Sequence, residues 1–453
     1  MFARTPVVVG IAAAAMVGAA GGNAVAAGTT QGSVAAASQS FAGAQGTYTS
    51  LAPVRVLDTR SGNGAPKALV GAGRELSLLV AGRGGVPSGI SAVVLNLTAV
   101  GPTADTYLTA YPSGTARPAT SNVNAVAEAT RANLVTVPVG TDGRVRIYNN
   151  AGTTHILGDV MGYYHGQAAP STGIGAQYYT LDPERWFDSR SDGGALGPGE
   201  VVTIAADFGP DAESVVALAT NITVTDGSTP GHVSAGGEFG AQAPTYSTVN
   251  YGARQTVANM SVGASGHSGT DVLFSVRNGG TGTVQAIIDV VGMYVSGETE
   301  GLRYRPLAPR RTIDTRSGIG GAAKQLGSNE SRLFTAPATV AGVETYALVT
   351  NTTVVRPSAA TYVTAYSNDL PRPPVSNVNA GPGEIAANSA FVPLGESERF
   401  RVHNAAGQTH LVVDVFGSFE YHSDLASGRA SSPSSGGHDP SGPTPTSVRV
   451  ERD

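Results

Sequence analysis

The sequence predicts an all-β protein, and three observations carry the prediction. Sixty glycines and 27 prolines in 453 residues interrupt the chain too often for long helices. Stretches such as "AVVLNLTAV" (Ala92 to Val100) are short, rich in Val and Thr, and bounded by turn residues. Two motifs also recur three times at a fixed separation. The opening motif reads "RVLDTRSG" at Arg55, "RWFDSRSD" at Arg185 and "RTIDTRSG" at Arg311; the closing motif reads "GDVMGYY", "IDVVGMY" and "VDVFGSF". The aspartates they carry, Asp58 with Asp159, Asp188 with Asp289 and Asp314 with Asp414, lie 101, 101 and 100 residues apart. Such constancy describes one unit copied three times, over residues 48–165, 178–295 and 304–422, about 118 residues each. Units of that size are domains, unlike the short repeats of solenoids and propellers. Seven or more strand-and-turn segments per copy predict three tandem β-sandwich domains, with a barrel-like closure as the alternative.

Taken in chain order, residues 1–26 read as an export signal. Arg4 precedes the apolar run Val7 to Ala20, and "AVAA" (Ala24 to Ala27) offers small residues for cleavage after Ala26. A flexible linker over 27–47 leads into the first copy. Within a copy, "AVVLNLTAV" has apolar residues at successive positions, as expected of a strand covered on both faces. "RVRIYNNAGTTHILGDVMGYY" (Arg144 to Tyr164) reads as a hairpin turning at "NNAG". The joins "HGQAAPSTGIGAQ" (His165 to Gln177) and "SGETEGLR" (Ser296 to Arg303) are short and Gly-rich, so the expectation is three autonomous cores in a row, able to reorient. Residues 423–453 are rich in Ser, Pro and Gly and read as a disordered tail.

Composition excludes several classes of function. A net charge of −5, with only 13% charged residues, offers no basic surface for nucleic acid. The absence of cysteine rules out thiol catalysis and suits an exported chain that folds without disulfides. After the N-terminal run no apolar stretch is long enough to span a bilayer, so no membrane partner is expected after processing. No zinc, P-loop, nucleophile-elbow or dinucleotide motif is present. His403 and His410 flank one hairpin tip, but Tyr148 with His155 and Arg277 with Gln285 stand there in the other copies, so no shared metal site or cofactor is expected.

What recurs is polar. Besides the aspartates and Arg60, Arg190 and Arg316, each copy keeps an Asn-x-Thr (Asn96, Asn221, Asn351) and the second Asn of "SNVN" or "STVN" (Asn124, Asn250, Asn379). It also keeps an Ala-Asn (Asn133, Asn259, Asn388) and a hairpin Asn (Asn149, Asn278, Asn404). Asn-x-Thr also matches a glycosylation acceptor, but here the Asn lies mid-strand instead of in a loop. Asp159 shares a strand face with Leu157 and Met161, so it is expected to be buried and to need a donor, for which the Arg of the "DTR" stretch is the natural partner. The first reading of this set is a structural polar network that fixes strand register; the second is a sugar- or peptide-binding cluster; a catalytic carboxylate pair comes third, because nothing specifies a cleft or a raised-pKa acid.

"TYLTAY" and "TYVTAY" place Tyr107, Thr109 and Tyr111, and Tyr362, Thr364 and Tyr366, on one strand face. Such a stripe suits sugar-ring stacking or cross-strand aromatic packing. Copy two has "GHVSAG" there and is degenerate. On the binding reading, Tyr111→Ala leaves the melting temperature nearly unchanged.

The order P-x-R-x-φ-D-[TS]-R, N-x-T, "TYLTAYP", "SNVNA", "AN", "YNNAG" and H-φ-φ-x-DV-x-GYY resembles a repeat found in tandem in secreted proteins of Streptomyces and related actinobacteria, sometimes beside wall-acting domains. The resemblance implies an extracellular, accessory and non-catalytic role and transfers no ligand. The functional expectation is a secreted, multivalent module for cell-wall or environmental polysaccharide; a structural spacer or protein-interaction surface is the alternative, and a glycan- or ester-cleaving enzyme stands behind both.

Overall fold

The computed structural model describes residues 43–167, 174–237, 239, 244, 246–297, 301–421 and 442–452. The export signal at 1–26 and most of the linker before the first copy lie outside them, as does the tail over 422–441.

Copy one comprises β1 (Tyr48–Asp58), β2 (Arg74–Leu79), β3 (Ile90–Val100), β4 (Thr106–Pro112), β5 (Val123–Ala125), β6 (Arg131–Pro138), β7 (Arg144–Asn149) and β8 (His155–His165). They form two antiparallel sheets, an inner one in the order β1-β8-β3-β6 and an outer one in the order β2-β7-β4-β5. Copy two runs from β9 (Gln177–Asp188) through β10 (Val201–Asp207), β11 (Val215–Thr225), β12 (Gly231–Gly236), β13 (Val249–Tyr251), β14 (Val257–Ala264), β15 (Gly266–Ser268) and β16 (Asp271–Asn278) to β17 (Gln285–Val295). Copy three comprises β18 (Arg303–Asp314), β19 (Glu330–Thr335), β20 (Thr345–Val355), β21 (Thr361–Ser367), β22 (Val378–Ala380), β23 (Ile385–Pro393), β24 (Arg399–Asn404) and β25 (His410–Glu420). Both repeat the two-sheet arrangement, and each of the six sheets is an open ladder, so the copies are sandwiches and not barrels.

Alternation along the inner strands explains their unbroken apolarity. On β3, Val93, Leu95, Leu97 and Ala99 enter the core between the two sheets of copy one, beside Leu108 and Ala110 of β4 and Val145 and Ile147 of β7. Ala92 and Val94 point the other way, into a second core that draws on all three copies. At its centre lie Tyr48, Tyr164, Tyr178, Tyr294, Tyr304 and Phe419, each at most 1% exposed. The opening aromatic of each copy meets the closing aromatic of the next: Tyr48 with Tyr294 at 4.4 Å, Tyr178 with Phe419 at 4.1 Å and Tyr304 with Tyr164 at 4.2 Å between ring centroids.

The joins follow the same rotation. Tyr48 and Ala176 exchange backbone hydrogen bonds, Tyr178 and Leu302 do likewise, and the Tyr304 N–H donates to the carbonyl of Gly46 at 2.9 Å. Copy one is thus bonded to the segment entering copy two, copy two to that entering copy three, and copy three to that entering copy one. This is a closed head-to-tail ring with pseudo-threefold symmetry, built from one chain. It corrects the expectation of beads in a row that reorient: Ala176 and Leu302, in the joins, are buried and hydrogen-bonded. The tail differs from expectation too. Ser447–Arg452 forms β26, which pairs with β10 at the edge of the outer sheet of copy two.

Candidate functional site

The asparagines of Asn-x-Thr and Ala-Asn are where the ring is joined. In copy one, Asn259 of copy two donates to the Asn96 side-chain oxygen at 3.0 Å, and Asn96 donates to the Ser247 carbonyl at 2.6 Å. In turn, the Asn259 oxygen accepts the Leu134 N–H at 2.9 Å. Rotating once, Asn388 donates to Asn221 at 2.8 Å, Asn221 to the Ser376 carbonyl at 2.5 Å, and the Met260 N–H to Asn388 at 2.9 Å. Rotating again, Asn133 donates to Asn351 at 2.9 Å, Asn351 to the Ser121 carbonyl at 2.6 Å, and the Ser389 N–H to Asn133 at 3.0 Å. All six amides are buried, Asn96, Asn221 and Asn351 on the axial face of an inner strand and Asn133, Asn259 and Asn388 on the face toward their own copy's core. An unmet donor or acceptor there is costly, so the three junctions are specified by matched amides as well as by apolar packing. Asn124 takes a smaller part, accepting from the Ser121 hydroxyl beside this junction, as Asn250 and Asn379 do from Ser247 and Ser376.

The opening motif has two ion pairs, with an assignment that differs from the sequence expectation. Asp159 is gripped by Arg55, with Nε at 2.5 Å and Nη2 at 3.0 Å, and Arg60 instead holds Asp58 at 2.8 Å and 3.0 Å. Register explains the exchange: Arg55 lies directly across from Asp159 in the β1–β8 ladder. Arg185 with Asp289 and Arg311 with Asp414 repeat the first pair, and Arg190 with Asp188 and Arg316 with Asp314 the second. The side-chain hydrogen bond from Arg60 holds the Asp58 carboxyl down at about 2. Burial pushes Asp159, Asp289 and Asp414 up, against the pull of their arginines. The hydroxyl in D-[TS]-R also has a structural task. Thr59, Ser189 and Thr315 accept the N–H groups of Ile156, Ala286 and Leu411, tying the end of the opening strand to the start of the closing one. The hairpin asparagines Asn149, Asn278 and Asn404 are buried and bond the turn carbonyls of Gly152, Gly282 and Gly407.

The tyrosine stripes are not open platforms. Period-two alternation does place Tyr107, Thr109 and Tyr111 opposite the core-facing Leu108 and Ala110, but the loop after β4 folds back over them. Thr109 is 1% exposed and donates to the Thr120 carbonyl at 2.7 Å; Tyr111 is 4% exposed, and its hydroxyl bonds Glu75. Burial raises the Tyr111 phenol to about 12. In copy three, Thr364 donates to the Val375 carbonyl at 2.6 Å, and the buried Tyr366 bonds the Ser331 hydroxyl at 3.2 Å. Tyr107 and Tyr362 alone of the six are half-buried.

Open volume lies instead between copies. A groove of about 760 Å³ separates copies one and two, lined by Arg55 and Arg60 on one side and by His232, Tyr246, Asn250 and Gln255 on the other. A second, of about 700 Å³, separates copies two and three and is lined by Arg254, Gln255, Tyr362, Asn379 and Glu384. His232 occupies in copy two the place of Tyr107 and Tyr362, and burial together with Arg277 lowers its pKa, which favours the neutral ring. Where copies three and one meet, Arg131 bonds Glu384 across the junction at 2.5 Å. Such grooves combine aromatic rings, amides and a few fixed charges, a lining that suits hydroxyl-rich ligands.

The residues that sequence reasoning missed are Arg55, Arg185 and Arg311, the serines of "SNVN" and "STVN", Tyr246, and the glycine of the closing motif. A Cβ on Gly162, Gly292 or Gly417 would collide with the rings of Tyr48, Tyr178 and Tyr304, respectively. All but Tyr246 stand inside the quoted threefold motifs, so recurrence was the available signal.

No protein-family model and no curated protein matches the chain. Among solved structures, it aligns with a chain from the atomic structure of Sulfolobus turreted icosahedral virus at 9% identity and a TM-score of 0.17, over 83% of this chain and 91% of that one. A chain from work on the triple jelly roll fold and turret assembly in an archaeal virus aligns at 8% identity and a TM-score of 0.17, over 83% and 90%.

Proposed function

We propose that the chain is an exported, non-catalytic binding protein that holds polysaccharide in the grooves between its copies. The supporting observation is the groove between copies one and two: at about 760 Å³ it has the size of a small-ligand site and is lined by Tyr246, His232, Asn250 and Gln255. The related groove at the next junction contains Tyr362. Two grooves on one rigid ring give avidity, because engagement of the first raises the effective concentration at the second. A non-catalytic role is supported by the state of the carboxylates. Asp58 is fixed as an anion by Arg60, and Asp159 is 2% exposed behind Arg55, so neither is placed to deliver a proton to a ligand.

The second reading, a structural spacer, is favoured by the ring itself, since the recurring inner-strand asparagines and axial aromatics are engaged in joining copies. Co-sedimentation with insoluble peptidoglycan, chitin and cellulose separates the two. The binding reading predicts retention on at least one glycan, reduced several-fold by Tyr246→Ala or Tyr362→Ala in folded protein. Absence of retention on all three would overturn it in favour of the spacer.

A further inference from the structure

The outer edge of β10 carries a strand that the other two copies lack at the same place among the described residues. β26 pairs with β10 over six residues, from Val202 opposite Arg452 to Asp207 opposite Ser447. The ladder alone is indifferent to sequence, but the side chains are not. Arg449 grips Asp271 through Nη1 and Nη2, at 2.8 Å and 2.5 Å. Arg452 bonds Glu200 at 2.8 Å and reaches the carbonyls of Gly194 at 3.0 Å and Asp192 at 3.4 Å. Val450, between them, packs on the core of copy two.

Copy three explains why Arg452 fits. There Glu330 takes the place of Glu200, each accepting the N–H of the glycine three residues before it. Arg332 of β19 then bonds Glu330 at 2.9 Å and the carbonyls of Lys324 and Gln325 at 2.7 Å each. Copy three thus fills its own cradle of carboxylate and carbonyls. Copy two has Val202 at the position of Arg332, as the registers Val202–Val276 and Arg332–Val402 show, so its cradle needs a guanidinium from another strand. Copy one has Arg74 where the glutamate would be, which repels a second arginine.

We propose that the edge of β10 is a strand-accepting peptide site selective for two arginines three residues apart, and that the chain's own C-terminal strand occupies it as an exchangeable plug. The same segment of a second copy fits the site whenever the first is displaced, which joins molecules through their tails. Edge pairing supplies affinity, while Asp271 and the Glu200 cradle supply selectivity. Because the plug is tethered, a free peptide competes against a high local concentration of it.

The test uses a fluorescent peptide of residues 444–453 and the full chain. The proposal predicts at least tenfold tighter binding to the Arg449→Glu, Arg452→Glu chain, whose own plug is repelled, than to the unaltered chain. Asp271→Asn added to that chain weakens the peptide again, and a peptide with both arginines changed to Ala fails to bind. No binding by the double-Glu chain with an unchanged melting profile would overturn the proposal; equal binding of the arginine-free peptide would overturn its selectivity and leave an unspecific edge.

Discussion

Asp159→Ala is the perturbation that most directly probes the opening motif. Asp159 is 2% exposed, and its removal leaves Arg55 with a side chain only 24% exposed and its main partner gone. Breaking a buried pair from one side costs about 3–5 kcal/mol. Arg55 keeps a long contact to Asp58 at 3.4 Å and some solvent, so the expected loss is about 2–3 kcal/mol. Asp58→Ala is the internal control. It frees Arg60, whose side chain is 48% exposed, and removes an acceptor for the Arg60 N–H, which together are worth about 1–2 kcal/mol. Replacing both members of the buried pair, Arg55→Met with Asp159→Leu, should restore much of what Asp159→Ala loses, because no charge is then orphaned. Urea denaturation with an unchanged m-value reads all three. A loss below about 1 kcal/mol for Asp159→Ala, or one equal to that of Asp58→Ala, would refute the assignment of Arg55 as its partner.

The remaining predictions concern packing and pH. Gly162→Ala places a methyl group against the Tyr48 ring at the ring centre and is expected to destabilise by about 1–3 kcal/mol in the same denaturation assay. Tyr111→Ala, neutral on the binding reading of the stripe, is expected to lower the melting temperature, because the ring is buried and its hydroxyl bonds Glu75. The stability contributed by Asp58 is lost as pH drops from about 4 toward about 2, because Asp58 titrates near 2 when folded and near 3.9 when unfolded, and Asp188 and Asp314 are lowered in the same sense. At these three groups the unfolded chain binds more protons in that window, so their titration favours unfolding in acid, whereas Asp159, Asp289 and Asp414, raised when folded, act in the opposite sense at its upper end. Asp58→Asn should therefore flatten the acid limb of the slope measured by thermal melts.

The strands, the copy spacing and the two-faced burial of the inner strands were legible because each is a local pattern of period two or a repeated motif. Ring closure was not. The sequence places Asn96 in an apolar strand and so demands a partner, but the partner is Asn259, 163 residues away, and nothing local says whether it belongs to the same copy or the next. Alternation likewise put Tyr111 on the correct strand face, yet the cover over that face comes from a loop whose path alternation does not encode. In the tail, "SVRVER" alternates as a strand should, but six residues are submerged in the average of a Ser/Pro/Gly-rich segment.

The three copies are expected to unfold together because they share one axial core and a closed set of hydrogen bonds between asparagine side chains. Scanning calorimetry of the full chain beside Asn259→Ala tests it. That substitution removes donors to Asn96 and Thr248 and the acceptor for the Leu134 N–H, a loss of about 3 kcal/mol at one hydrogen bond per kcal/mol. The ring predicts a single transition in the unaltered chain, with a calorimetric enthalpy matching the van't Hoff value, and a downward shift of that whole transition in the variant. Three separable transitions, of which the variant moves only that of copy two, would contradict it.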